Sequence, residues 1–123
     1  MQKLGWVATA IAALMLTASA TMKFLFVSGR MTKDLGEGMA HLGIPESLVL
    51  TLAIIEITCV ILYLIPRTTV LGAILITGYL GGAVCTHLRV GDAVFGPLLP
   101  GILTWVGLYL RDPRISALIP LRK

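Results

Sequence analysis

The stretch "TLAIIEITCVILYL", Thr51 to Leu64, decides the fold class, because it is apolar enough to lie in a lipid bilayer except at Glu56, near its centre. The rest of the chain has the same character. Of its 123 residues, 57% are hydrophobic and 13% are charged, and the mean hydropathy is +0.93. A domain this small cannot hide so much apolar surface from water. The sequence therefore predicts an integral membrane protein whose main partner is the lipid bilayer.

Four apolar runs are each close to the ~20 residues that a helix needs to cross the hydrocarbon of a bilayer. They cover residues 4–27, 47–65, 69–88 and 93–110. Because lipid does not tolerate unpaired backbone groups, all four are predicted to be helices. The turn "PRT" between the second and third runs is so short that it forces an antiparallel hairpin. The predicted fold is an all-α, antiparallel four-helix bundle that forms a single transmembrane domain over residues 1–123.

Two segments interrupt this pattern. Pro97 and Pro100 predict an irregular entry to the fourth span, with a regular helix from Gly101 onward. Between the first two spans, apolar residues at helical spacing predict a short amphipathic helix at the membrane interface, at about residues 31–42. The residues that carry this spacing are Met31, Leu35, Met39 and Leu42. Such a helix either covers the mouth of a pocket or is a plain connector, and the sequence leaves both readings open.

The positions of lysine and arginine predict the orientation. An even number of spans puts both termini and the Pro66 turn on one side, which then carries six of these residues against four on the other. The six are Lys3, Arg67, Arg111, Arg114, Arg122 and Lys123, and the four are Lys23, Arg30, Lys33 and Arg89. The positive-inside rule then predicts that both termini are cytoplasmic. Because the basic residues are scattered at span ends, the net charge of +4 indicates topology and not a nucleic-acid partner.

The start of the chain resembles a secretory signal peptide, with Lys3, an apolar run and "ASA" at residues 18–20. The apolar run, however, continues through Val27. An uncleaved first span is therefore expected.

Glu56 lies about nine residues from each end of its span, which at ~1.5 Å per residue is close to the midplane of the membrane. A carboxylate at that depth either takes up a proton or pairs with a cation. Lys23 is the predicted cation, because helical side chains point toward their own N-terminus and the two spans are antiparallel. The two side chains are therefore expected to reach toward each other.

Further polar residues fall near this pair. The third span carries a stripe of side chains at three- and four-residue intervals, and two residues follow Glu56 on its own side of the second span. Two readings stay open: a structural ion pair that fixes helix register, or a polar site in the external half of the bundle for a lipophilic molecule. In the second reading the catalytic candidates are Lys23, Glu56 and His87, and the ligand-binding candidates are Tyr79, Thr86, Arg89, Cys59 and Tyr63.

The sequence shows no metal or dithiol motif. Cys59 and Cys85 are expected to differ in depth by ~12 Å, which is beyond the reach of a disulfide. Both thiols are therefore expected to be free.

Several of these motifs together resemble the DoxX-like family of small four-span bacterial membrane proteins. The motifs are Lys23 late in the first span, "LGIP" at residues 42–45, Glu56, "IPRTTVLGA" at residues 65–73 and "TGYLGGAVCTHLRVGD" at residues 77–92. The wider superfamily is named after a membrane subunit of thiosulfate:quinone oxidoreductase. The resemblance implies a bacterial inner-membrane location and a quinone-related or redox-accessory role, with a quinone as the implied ligand.

The sequence leaves the activity open. No haem pair, flavin motif or dithiol is visible, so electrons for a redox reaction would have to come from a bound substrate or from a partner protein. Whether the protein is an enzyme and whether it forms homo-oligomers are undecided. The alternatives are a proton-coupled small-molecule transporter and a non-catalytic scaffold. Small multidrug transporters also have four spans and an essential carboxylate, but they place it in the first helix, where this chain has none.

Overall fold

The long apolar runs of the chain form helices. The computed structural model describes residues 2–29 and 33–122. Its elements are α1 (Gln2–Val27), α2 (Lys33–Leu42), α3 (Glu46–Leu64), a 3-10 turn (Pro66–Thr68), α4 (Thr69–Arg89), α5 (Phe95–Arg111) and α6 (Pro113–Ser116). Helices α1, α3 and α4, the last together with its 3-10 turn, are long and apolar enough to cross a membrane. The prediction of an all-helical membrane protein is therefore confirmed.

The four long helices pack in a ring. α1 packs against α3 and α5, and α4 closes the ring by packing against the same two helices. The outer faces of the helices carry exposed apolar side chains, among them Leu14, Ile54 and Ile102. A water-soluble protein of this size does not expose so much apolar surface, whereas a bilayer covers it. The ring has one end at the chain termini, called here the Arg111 end, and an opposite end, called the His87 end.

At the Arg111 end, α1 and α5 touch through their backbones. A Cβ atom added at Gly5 would lie 2.8 Å from the carbonyl oxygen of Gly107, and one added at Gly107 would lie 2.8 Å from the backbone nitrogen of Thr9. Only glycine leaves room for so close an approach, which is a common way for helices to associate in membranes. This half of the bundle is therefore tightly closed.

The predicted irregular entry to the fourth helix is wrong, because α5 begins at Phe95 and continues through both prolines. Pro97 lies in the first turn of the helix, where a backbone N–H has no intrahelical partner to lose. Pro100 removes one hydrogen bond, the one that would have reached the carbonyl of Gly96. Both prolines are buried, so their packing helps to offset this loss.

The connection between α1 and α3 contains a helix, α2, over most of the predicted range. Met31, which the prediction placed in this helix, lies outside the described residues. The helix ends at Leu42 and is followed by Gly43, whose φ of +75° favours glycine, and the amide of Ile44 donates to the carbonyl of Met39 at 2.9 Å. Met39 is buried and packs with Phe26 and Val49, which fixes α2 against the bundle.

Two polar contacts join α2 to the end of α4 and to the turn that follows it. His41 Nε2 lies 3.0 Å from Asp92 Oδ1, and the guanidinium of Arg89 donates to the carbonyl of Leu42. The second contact also depends on Gly43, since a Cβ there would lie 3.0 Å from the Arg89 guanidinium. Helix α2 is thus held over the His87 end of the bundle.

Candidate functional site

A cavity of about 500 Å³ opens between the helices at the His87 end. All five of the helices α1 to α5 contribute to its wall, and α2 covers it with Met39 and Leu42. The wall is mainly apolar, with a few polar groups supplied by α1, α3 and α4. This size and this composition are typical of sites for small molecules, which range over about 300–1,000 Å³.

Lys23 and Glu56 form an ion pair on the wall of this cavity, with Nζ 3.0 Å from Oε1. Their side chains are only 10% and 3% exposed, respectively. Lys23 also donates to the hydroxyl of Ser19, one turn earlier in α1, at 2.7 Å. The antiparallel packing of α1 against α3 brings the two charges together, as the side-chain directions predict.

Tyr79 of α4 donates a second hydrogen bond to Glu56, with its hydroxyl 3.3 Å from the same oxygen, Oε1. The carboxylate therefore joins three helices: α1 through Lys23, α3 through its own backbone, and α4 through Tyr79. Among the side chains that the structure describes, every fully buried polar atom has a partner. The polar cluster is thus well compensated for its burial.

His87 and Thr86 lie on the wall of the same cavity. They are two turns further along α4 than Tyr79, a distance of ~12 Å at 1.5 Å per residue. His87 Nδ1 lies 2.7 Å from the carbonyl oxygen of Ala83. Because a carbonyl only accepts, Nδ1 is the protonated nitrogen, which leaves Nε2 as the ring atom that can exchange a proton.

Three of the predicted ligand-binding residues do not line the cavity: Cys59, Tyr63 and Arg89. Cys59 and Tyr63 are on the same side of α3 as Glu56, but both are packed in the core toward the Arg111 end. Arg89 bonds α2 by way of the Leu42 carbonyl. The thiols of Cys59 and Cys85 are both free, the first buried and the second exposed.

The parts of the cavity wall that sequence reasoning missed include Ser19 and the start of α5. Ser19 precedes Lys23 by four residues, so helical spacing alone could have associated it with the lysine. Gly96, Pro97 and Pro100 of α5 also line the cavity, and no signal in the sequence pairs them with Glu56. Their place on the cavity wall follows from the arrangement of the helices in a ring.

A polar network that the sequence did not reveal closes the Arg111 end. Arg111 Nε donates to Thr9 Oγ1, and Nη2 donates to Thr69 Oγ1, both at 3.0 Å. The guanidinium also lies 4.4 Å from the ring centroid of Trp6, a cation–π contact. Tyr63 extends the network, because its hydroxyl lies 3.1 Å from Thr9 Oγ1 and donates to the carbonyl of Thr104 at 2.8 Å. The cavity is therefore separated from this end by packed, hydrogen-bonded side chains.

Among the described residues there is no group of three or more His, Cys, Asp or Glu side chains placed to hold a metal ion. The polar groups on the cavity wall are an ammonium, a carboxylate, a phenol, an imidazole and the hydroxyls of Ser19 and Thr86.

The model of the DoxX-like family matches residues 7–109. Neither a curated protein nor a solved structure matches the chain. The matched region runs from the first turns of α1 almost to the end of α5, and it contains Lys23, Glu56, Tyr79 and His87. The chain belongs to the DoxX-like family.

Proposed function

We propose that this protein binds a quinone-like or other lipophilic small molecule in the cavity beside Lys23 and Glu56. The observation that carries the proposal is that the ion pair forms part of a cavity wall instead of being enclosed by protein on all sides. Ionisable groups inside a membrane are costly to keep, and they commonly mark functional sites. An apolar cavity with a few convergent polar groups suits a molecule that arrives through the lipid.

In this proposal the protein is a single domain of four spans, with α5 as the fourth. α5 has 17 residues, or ~25 Å at 1.5 Å per residue, which is at the short end of the range for a spanning helix. Its outward side chains, such as Leu98, Ile102 and Val106, are apolar and exposed. α2 would then lie at the membrane interface as a cover for the cavity. The excess of basic residues at the Arg111 end supports cytoplasmic termini.

We place the protein in the bacterial inner membrane, on the strength of its family and its apolar helices. A redox-accessory role fits the groups on the cavity wall. Lys23 would stabilise an anionic oxygen of the ligand, while Glu56 and His87 would exchange protons with it. Electrons would come from a second bound molecule or from a partner protein.

The two alternatives have less support. A transporter for lipophilic cations needs an available carboxylate, but Lys23 competes for Glu56 at 3.0 Å. A pure scaffold would explain the ion pair, but it gives no reason for a cavity of about 500 Å³ beside it. Proteoliposome uptake of a lipophilic cation, driven by a proton gradient, would favour the transporter.

The proposal can be tested with the full-length protein purified in a mild detergent. Lipids and quinones that co-purify are identified by mass spectrometry, and the binding of decylubiquinone is then measured by calorimetry. We expect the double variant Lys23→Met with Glu56→Gln to bind at least ~10-fold more weakly, because hydrogen bonds to charged groups contribute about 1.5–3 kcal/mol each.

The matched control for that variant is Thr58→Ala. Thr58 is on the same helix as Glu56, is exposed, and bonds only its own helix at the carbonyl of Ile54. It should bind like the wild type. Repeated absence of any co-purified lipophilic molecule, together with no binding of the quinone analogue, would refute the proposal. Unchanged binding in a folded double variant would show that the ligand binds elsewhere and not beside the ion pair.

A further inference from the structure

We infer that the cavity takes a ligand with an uncharged head that carries a hydrogen-bond acceptor next to a donor, and that it discriminates against charged heads of similar size. The inference rests on the proposed function, because it names the class of ligand for the same cavity. Carboxamides, and rings that carry a hydroxyl beside a carbonyl, belong to this class.

The first step concerns the ammonium of Lys23. It has three N–H donors. Two of them are used, one by Ser19 Oγ at 2.7 Å and one by Glu56 Oε1 at 3.0 Å. The side chain is nine-tenths buried and lines the cavity. The third N–H is therefore suited to an acceptor atom on the ligand.

The second step concerns the two oxygens of Glu56. Lys23 and Tyr79 both donate to Oε1, and none of the side chains that the structure describes, which exclude those of residues 30–36 and 38, donates to Oε2. Oε2 is nevertheless not sealed inside the protein, because every fully buried side-chain oxygen described has a partner. Since Glu56 lines the cavity, a ligand can reach Oε2 from there. An ionised carboxylate only accepts, so it requires a donor on the ligand.

The third step concerns charge. The charges of Lys23 and Glu56 sum to zero, and both groups lie on the wall of the cavity. A charged head would lose its hydration on entering without meeting a net charge of opposite sign, which is costly in an apolar setting. An uncharged head avoids this cost and can still form both hydrogen bonds, one with the third N–H of Lys23 and one with Oε2 of Glu56. Because Lys23 and Glu56 are in contact as an ion pair, the acceptor and the donor of the ligand must be neighbours.

The test compares three probes that each carry a ten-carbon chain but differ in the head group: decanamide, decanoate and decyltrimethylammonium. Their binding to the full-length protein in nanodiscs is measured by calorimetry at pH 7, with empty nanodiscs as background. We expect the amide to bind at least ~10-fold more tightly than either charged probe, which corresponds to ~1.4 kcal/mol. This ranking in the wild-type protein is the primary result.

Two variants test the cause of the ranking. Glu56→Gln leaves the charge of Lys23 uncompensated, so decanoate should gain affinity relative to the amide. Lys23→Gln leaves the charge of Glu56 uncompensated, so decyltrimethylammonium should gain instead. Thr58→Ala, on the exposed face of α3, should keep the wild-type order. If a variant fails to fold by size-exclusion chromatography and circular dichroism, the wild-type ranking still decides.

A charged probe that binds the wild type as tightly as the amide would overturn the inference while leaving the proposed function intact. An unchanged order of affinities in a folded Glu56→Gln variant would overturn it as well. Absence of binding by every probe and by decylubiquinone would overturn the inference and the proposed function together. The three results are distinguishable in one set of titrations.

Discussion

At the scale of single residues, Glu56 shows how an acidic side chain is accommodated in an apolar helix. It is held by a cation from α1 and a phenol from α4, both on one oxygen. The energetic consequence is asymmetric. Removing one member of a buried ion pair leaves a charge without compensation, whereas removing both members together leaves none.

This asymmetry gives a prediction for stability. Lys23→Met alone should lower the free energy of unfolding by about 3–5 kcal/mol, the usual cost of breaking a buried pair. Adding Glu56→Gln should restore part of that loss, because the carboxylate is gone. The measurement is a double-mutant cycle from unfolding in a detergent mixture of increasing denaturant content. Additive effects of the two substitutions would show that the charges do not interact.

Asp112 gives a second prediction, which concerns pH. Its carboxylate accepts two hydrogen bonds from the Arg114 side chain and one from the Arg114 amide, and the side-chain bonds hold the pKa of Asp112 below its usual value. A carboxyl group whose pKa is lower when folded adds stability above its unfolded pKa of ~3.9, and this is lost as pH falls through the folded value. The thermal stability of wild type relative to Asp112→Asn should therefore be greater at pH 7 than at pH 3. An equal difference at both values would contradict this assignment.

The sequence predicted the Lys23–Glu56 pair because two local rules were enough: antiparallel neighbours, and side chains that point toward the helix N-terminus. The sequence also grouped Tyr63 with Glu56, because the two residues lie on the same face of α3. Residues on one face of a helix can nevertheless lie at different depths in the bundle. Tyr63 is seven residues further on, ~10 Å away, and it belongs to the Arg111 network. That network could not be predicted, because Thr9 and Thr69 come from different helices. The sequence of a single span does not determine which helices pack beside it.

At the scale of the helices, α1 and α5 owe their contact to two glycines. A methyl group at Gly107 would meet the backbone nitrogen of Thr9 at 2.8 Å and the carbonyl of Gly5 at 2.9 Å. Backbone atoms cannot move aside as a flexible side chain can. The two helices would have to separate, and the tightly packed half of the bundle would loosen.

We therefore predict that Gly107→Ala destabilises the protein by about 1–3 kcal/mol, the usual cost of overpacking. Gly78→Ala is the matched control, since a Cβ there meets nothing within 4 Å. The control should be neutral, or stabilising by up to ~1 kcal/mol through better helix propensity. Melting temperatures of the two variants in the same detergent provide the comparison. Equal effects would mean that the helices do not touch at Gly107.

The helices themselves were the easiest part to predict, because apolar length identifies a span without any tertiary information. The entry to α5 was harder. Prolines predict a break, yet Pro97 falls in the first turn and Pro100 loses a single hydrogen bond, so tertiary packing prevails over the local preference. The cavity could not be predicted from the sequence, because its wall is formed by five helices and depends on how they pack together.

At the scale of the whole molecule, the distribution of basic residues predicts which end faces the cytoplasm. Two exposed positions at opposite ends can be compared: Ala93, between α4 and α5, and Leu118, after α6. In intact bacterial cells, Ala93→Cys should react with a membrane-impermeant maleimide, and Leu118→Cys should react only after permeabilisation. The wild type, with Cys59 and Cys85, measures the background. The reverse pattern of labelling would invert the proposed topology.

The closed Arg111 end has a kinetic consequence. Arg111 bonds the side chains of Thr9 and Thr69 there, and the residues that line the cavity are on the other side of this network. A site blocked on one side is filled and emptied from the other, so two reactants would have to share one entrance. A molecule bound at this entrance would therefore block the exchange of any other molecule with the cavity.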